Sequence, residues 1–247
     1  MLKSASIPTF FLLFSLLNFS CNPTDKAREV VDRAITYHGG KKFEQVTIDF
    51  DFRDRHYQIQ KSSKSFKYVR EFRDSIGLVK DILDNSGFQR SVNGNLVDVD
   101  PEKARAYSNS VNSVAYFAFL PYGLNDPAVY KEYLGISELD GKRYHRIKVT
   151  FSENGGGEDF EDEFLYWFGE EDYALGFLAY SYHTEGGGVR FRKVINVHEI
   201  DGLRLLDYEN YKPKVKETPL ENLEELYLQG QLELLSEILL EQITVKE

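Results

Sequence analysis

The sequence predicts a mainly β, α+β fold: a curved antiparallel meander forming an incomplete barrel, with an N-terminal helix and inserted helices on its concave face. Three observations carry this. From Val46 onward, apolar and polar residues alternate in short runs, the period of a strand with one buried and one wet face. The runs are separated by Asn85-Ser86-Gly87, Asn93-Gly94, Asp140-Gly141, Gly155-Gly156-Gly157, Gly186-Gly187-Gly188 and Asp201-Gly202. Asn-Gly and Asp-Gly suit the positive φ of tight hairpin turns. No βαβ rhythm and no glycine-rich phosphate loop after a strand occurs, so hairpins rather than crossovers join the strands.

Composition agrees. The chain has 247 residues, 42% apolar and 28% charged, which is globular rather than disordered. A chain of this length buries roughly 70–75% of its unfolded surface and needs no covalent staple. The net charge of −10 argues against a nucleic-acid partner, because phosphate affinity rests on excess Lys and Arg. The single cysteine, Cys21, excludes an intramolecular disulfide and a cysteine metal cluster.

The first element is an address. Lys3 precedes the apolar run Ile7–Phe19, which is shorter than the roughly 20 residues that span a bilayer. A basic start, a short apolar run and a small residue, Ser20, before a cut site read as a secretion signal over residues 1–20. With Cys21 next, the segment resembles a bacterial lipoprotein signal, although Asn18 and Phe19 replace the usual aliphatic and small pair. The resemblance implies that Cys21 is the lipid attachment site, acylated with chains such as palmitate. Residues 21–24 are then the lipidated cysteine and a short tether, and residues 25–247 a single half-barrel domain. Each buried methylene contributes ~0.8 kcal/mol, so several acyl chains hold a protein durably on a membrane.

Thr24-Asp25 starts a helix. Ala27, Val30, Val31, Ala34 and Ile35 form one apolar stripe, and Gly39-Gly40 ends it. His38 lies on the stripe and reads as a packed or capping residue rather than a ligand. Val46–Arg53 follows as a strand, with Val46, Ile48, Phe50 and Phe52 on the buried face. Further strands are expected at His56–Lys61, Phe66–Arg73, Leu78–Leu83, Phe88–Val92, Tyr144–Phe151, Asp159–Phe168, Leu175–His183, Val189–Val197 and Leu203–Tyr211. Asp100-Pro101-Glu102 opens a helix through about Phe119, and Asp126-Pro127 starts a second short helix toward Leu134. Val114–Leu120 is apolar nearly all round, so that helix is buried on several sides. The tail reads as a short helix at Leu220–Leu228 and a last strand near Leu234–Val245.

The chain holds 18 Phe, 16 Tyr and one Trp, residues that either fill a core or wall a pocket. The residues expected to bind a ligand are Phe50, Phe52, Tyr57, Phe66, Tyr68, Tyr116, Phe117, Leu120, Tyr122 and Phe191. Tyr116–Tyr122 is the expected gate or lining element. Arg190 and Arg192 alternate with Val189 and Phe191 and are expected to point away from the apolar face.

Chemistry is sparse. No histidine pair has i, i+4 spacing, and His198-Glu199 lacks the second histidine of a zinc helix because Gly202 stands there. No Gly-x-Ser-x-Gly elbow exists. The acidic run Glu158–Glu163 lacks the spacing of a calcium loop and reads as a charged strand edge. The expectation is no catalytic residue, no metal, no cofactor and no enzymatic activity.

A lipoprotein signal, one N-terminal helix, a long meander and helices inserted midway resemble the LolA/LolB-like lipoprotein-carrier layout. A nearer likeness is carried by Tyr37-His38-Gly39-Gly40, Phe50-Asp51-Phe52-Arg53, Tyr116-Phe117 with Leu120-Pro121-Tyr122, Tyr166-Trp167 and Gly187-Gly188-Val189-Arg190-Phe191-Arg192. These stretches are similar to a family of uncharacterised Gram-negative lipoproteins. The resemblance implies an outer-membrane, lipid-anchored protein facing the periplasm, with the membrane and an apolar ligand, a lipid or acyl chain, as partners. Two alternatives stay open here: a protein-interaction module with a filled core, and an undetected hydrolase.

Overall fold

The structure is a computed structural model that describes residues 23–154, 160–183 and 186–246. The expected signal, Cys21 and the Gly155-Gly156-Gly157 turn lie outside the described residues. Among the described residues the elements run from Pro23 to Lys246. No helix among the described residues is long and apolar enough to cross a membrane.

The chain opens with α1 (Pro23–His38). A meander follows: β1 (Val46–Phe52), β2 (Arg55–Lys61), β3 (Phe66–Asp74), β4 (Gly77–Asp84), β5 (Gly87–Val92) and the short β6 (Asn95–Leu96). After α2 (Pro101–Ala118) comes a second meander: β7 (Val129–Leu139), β8 (Lys142–Phe151), β9 (Phe164–Gly169), β10 (Leu175–Tyr182), β11 (Gly188–Ile200) and β12 (Leu203–Lys212). The tail supplies α3 (Leu223–Leu228), β13 (Glu233–Ile238) and β14 (Glu241–Lys246). The expected curved wall is thus two seven-stranded antiparallel sheets that do not close into a barrel, ordered β14-β1-β2-β3-β4-β5-β6 and β13-β12-β11-β10-β9-β8-β7.

The last strand joins them. It is expected as one piece, but it breaks at Leu239-Leu240, so that β13 pairs with β12 in one sheet and β14 with β1 in the other. Buried Asp207 fixes the crossover: its Oδ1 accepts from the Leu240 backbone N–H at 2.8 Å, and its Oδ2 lies 2.7 Å from His198 Nε2.

One expected helix is a strand. Residues 129–139 form β7, which pairs with β8 from Val129↔Phe151 to Leu139↔Lys142. Asp126-Pro127 is a sound local helix start, but eleven residues of ladder outweigh it. Gly135, at φ 95°, takes up the register shift that lets the pairing continue. The expected strand over 159–168 begins only at Phe164.

α1 lays Ala27, Val30, Val31 and Ala34 on the second sheet, against Ile147, Tyr166, Phe168 and Leu178. His38 closes it. Its Nδ1 lies 2.8 Å from the Ala34 carbonyl, and its Nε2 accepts from the Leu175 N–H at 3.4 Å. Those partners define a neutral ring. Burial, helped by nearby Arg204, lowers its pKa to about 4. α3 covers the opposite face of the same sheet, where Leu220 and Leu223 meet Leu165, Trp167, Phe177 and Phe191. The second sheet is therefore buried on both faces, and β9 is buried at all its positions.

α2 is tied to the first sheet by charge. Asp81 is 0% exposed and Arg70 2%. Arg70 donates to Asp81 Oδ2 at 2.6 Å, and Arg90 Nε donates to Asp81 Oδ1 at 2.6 Å. Arg70 also reaches Ser110 Oγ of α2 at 2.8 Å, and the Arg90 guanidinium lies 3.6 Å from the Tyr107 ring centroid. Asp100 caps the helix, accepting from the Glu102 and Lys103 N–H groups.

Two predictions follow from these anchors. Asp81→Ala strands the buried Arg70 guanidinium and the half-buried one of Arg90, and is expected to cost about 3–5 kcal/mol in urea unfolding. For His38, the unfolded ring protonates near pH 6.5 and the folded ring only near 4, so the unfolded state binds more protons between these values. Stability is then full above pH 6.5 and falls by about 3 kcal/mol as pH drops toward 4. A His38→Gln variant should lack that component of the slope.

Candidate functional site

α2 touches both sheets. It rests on β3, β4 and β5 of the first sheet, and its Ala115 and Ala118 pack in one cluster with Ile48, Phe50 and Ile59 of that sheet. Only its last turn reaches the second sheet. There Tyr116 Oη lies 2.7 Å from Tyr166 Oη, and the Phe117 ring lies 5.3 Å from Tyr180 and 6.4 Å from Phe164. Between α2 and the second sheet lies a cleft of about 710 Å³. Its helix wall is polar, with Glu102, Asn109, Asn112 and Ser113; its sheet wall is aromatic, with Phe151, Phe164, Tyr180 and Tyr182. Phe164 anchors that wall, stacking on Tyr180 at 5.4 Å and meeting Phe151 edge-on at 5.8 Å. Burial raises the pKa values of Tyr116 and Tyr166, which keeps both hydroxyls neutral donors and acceptors.

A second cavity of about 170 Å³ adjoins the first, and Ser113 and Phe117 line both. Its remaining wall includes Phe52, Val114, Leu206, Leu240, Arg192, Tyr208 and Asn210.

Of the residues expected to bind a ligand, Tyr116 and Phe117 line the large cleft, and Phe52 and Phe117 the small cavity. Phe50, Tyr57 and Leu120 lie in filled core. Phe50 stacks on Tyr57 at 5.6 Å. Tyr122 stacks on Phe43 at 5.4 Å, and Phe66 packs on Tyr68 at 4.8 Å, all outside both cavity walls. Phe191 is on the opposite face, stacked on Tyr227 of α3 at 4.8 Å. Arg192 consequently points inward, correcting the expected orientation. It sits 3.8 Å from the Phe117 ring centroid and donates to Tyr180 Oη at 2.9 Å. Sheet parity was read correctly in β11, but α3 makes the Phe191 face a second core.

Among the described residues no three His, Cys, Asp or Glu side chains come together to hold a metal ion.

Two open sheets, helices laid against them and an aromatic-walled cleft beside α2 define a two-sheet α+β fold of the open kind. Residues 8–240 match a family of unknown function, DUF6503, and the chain belongs to that family. No curated protein matches it. Among solved structures the chain is similar to a DUF1329 family protein from Desulfovibrio piger, at 11% identity over 79% of this chain and 89% of that one, with a TM-score of 0.52. That likeness shows the fold. It is also similar to a LolA superfamily protein from Nitrosomonas europaea, at 10% identity over 90% and 91% of the two chains and a TM-score of 0.49. A third similarity is to an outer membrane lipoprotein-sorting protein domain from Vibrio parahaemolyticus, at 9% identity over 76% and 86% and a TM-score of 0.43.

Proposed function

We propose that this protein is a non-catalytic binder of an apolar ligand, a lipid or acyl chain, held in the cleft between α2 and the second sheet. The cleft itself carries the reading. Its volume of about 710 Å³ falls within the roughly 300–1,000 Å³ of small-molecule sites. One wall carries the rings of Phe151, Phe164, Tyr180 and Tyr182, with Asp162 and Arg190 also lining the cleft, and the other is polar helix, so a chain can lie on the rings while the helix meets water. Sequestration is the mechanism: apolar ligand surface leaves water at ~25 cal/mol per Å². Tyr116 and Phe117, at the closed end of α2, are the lining residues that a guest would displace or press against.

The sequence address supports the place of action. A secretion signal over residues 1–20 with Cys21 next fits a chain acylated at that cysteine, held at the outer membrane and facing the periplasm.

Native mass spectrometry of the chain from Asn22, produced without the signal, is expected to show adducts of lipid mass. Ser113 is exposed and borders both cavities, so Ser113→Trp should fill the space and reduce adduct occupancy at least tenfold. As a surface change it should alter stability by no more than about 0.5 kcal/mol. A clean, ligand-free spectrum with an unaffected partner protein retained would instead support an interaction module. For the anchor, full-length protein should incorporate labelled palmitate in cells, and Cys21→Ser should abolish incorporation.

A further inference from the structure

We infer that the smaller cavity is an oxyanion site, in which Arg192 receives the acidic end of an amphiphile whose chain lies in the larger cleft. This deepens the lipid-binding reading and rests on it.

Three polar atoms carry the inference: Arg192 Nε, Tyr208 Oη and Asn210 Oδ1. All three are buried and lack a hydrogen-bond partner, and they are half of the six such atoms among the described residues. All three residues line this one cavity. Their exposures are 8%, 2% and 7%. Arg192 and Asn210 are cross-strand partners on β11 and β12, so the grouping is built into the sheet. Buried polar groups are almost always satisfied, and three exceptions on one small cavity mark a missing partner.

The charge is equally specific. Buried Arg70 faces Asp81, but among the described residues no carboxylate lies within ion-pair distance of Arg192. Phe117 covers its guanidinium and Tyr180 Oη holds one terminal nitrogen, which leaves the Nε edge to the cavity. Tyr208 supplies a hydroxyl donor. The Asn210 amide bonds Ser236 Oγ at 3.3 Å through Nδ2. A hydroxyl both donates and accepts, so the amide can turn its NH₂ toward an anion and keep Ser236. Arg53 stands on the same cavity wall as a second cation. About 170 Å³ suits a head group, and Ser113 and Phe117 are the shared boundary past which a chain would continue.

The test compares palmitate, hexadecanol and acetate by isothermal titration with the chain from Asn22, which carries every helix and strand of the described residues. Palmitate is expected to bind at least tenfold tighter than hexadecanol. Arg192→Gln should erase that preference while leaving hexadecanol unchanged. Tyr208→Phe, which removes only an unpartnered hydroxyl, should fold normally and weaken the preference severalfold, so the test survives a misfolded Arg192 variant. Equal binding of palmitate and hexadecanol overturns the oxyanion site and leaves lipid binding intact. A preference kept in both variants also overturns the site. Acetate binding as tightly as palmitate keeps the site as one for a free small anion and removes the chain. Binding of none of the three overturns both readings.

Discussion

Asp81 is the constraint on which the site depends. Two arginines from neighbouring strands converge on one carboxylate with no solvent exposure. Such a group is costly in isolation and tolerable only with its full set of charge-assisted hydrogen bonds. Because Arg70 and Arg90 also engage Ser110 and Tyr107, the arrangement decides where α2 lies. The helix is held on the first sheet through Tyr107, Ser110, Ala115 and Ala118 and reaches the second at Tyr116 and Phe117. The cleft is what remains between a helix held on one sheet and the aromatic face of the other. A helix lying midway between the sheets would fill that space.

The second constraint is the two-sided burial of the second sheet. A sheet covered on one face keeps its alternation, and β1 is legible for that reason: Ile48 and Phe50 go inward, Thr47 and Asp51 outward. β9 reads Phe-Leu-Tyr-Trp-Phe-Gly with no polar phase at all, the pattern of a strand buried on both sides. In β11 the phases are Val189, Phe191 and Lys193 against Arg190, Arg192 and Val194. Local pattern assigns the aromatic phase to the cavity. The structure reverses it, because six residues of α3 place Tyr227 and Leu223 over Phe191. That pairing joins positions far apart in the chain, and strand parity alone carries no information about it.

The same distinction separates what was legible elsewhere. α1 and α2 were readable because stripe, cap and terminating glycine or proline all agree within one segment. Most strands were readable from alternation and turn chemistry. The helix expected after Asp126-Pro127 failed because β7 derives its conformation from β8, and Gly135 accommodates a bulge that no neighbouring residue announces. The break at Leu239-Leu240 depends on Asp207, more than thirty residues earlier. Of the site, the aromatic segment Tyr116-Phe117 was visible as an apolar run. Arg192, Tyr208 and Asn210 were not, since what distinguishes them is the absence of partners, and that is a property of the assembled sheet.

Buried arginine is handled in two ways within this one protein, and the contrast bears on binding. Arg70 and Arg90 are neutralised internally and work as struts. Arg192 is held by aromatic faces and one tyrosine hydroxyl. Cation–π contact offsets part of its desolvation, by about 2 kcal/mol for a well-buried ring, but supplies no hydrogen bond to Nε. Each buried polar atom left without a partner costs roughly 1–3 kcal/mol. A ligand that satisfies those atoms recovers that energy on binding and stabilises the fold by the same linkage. An alkane-like guest can use the aromatic wall but leaves the three atoms as they were. On the proposed reading, affinity resides in the cleft and selectivity for an acidic head resides at Arg192.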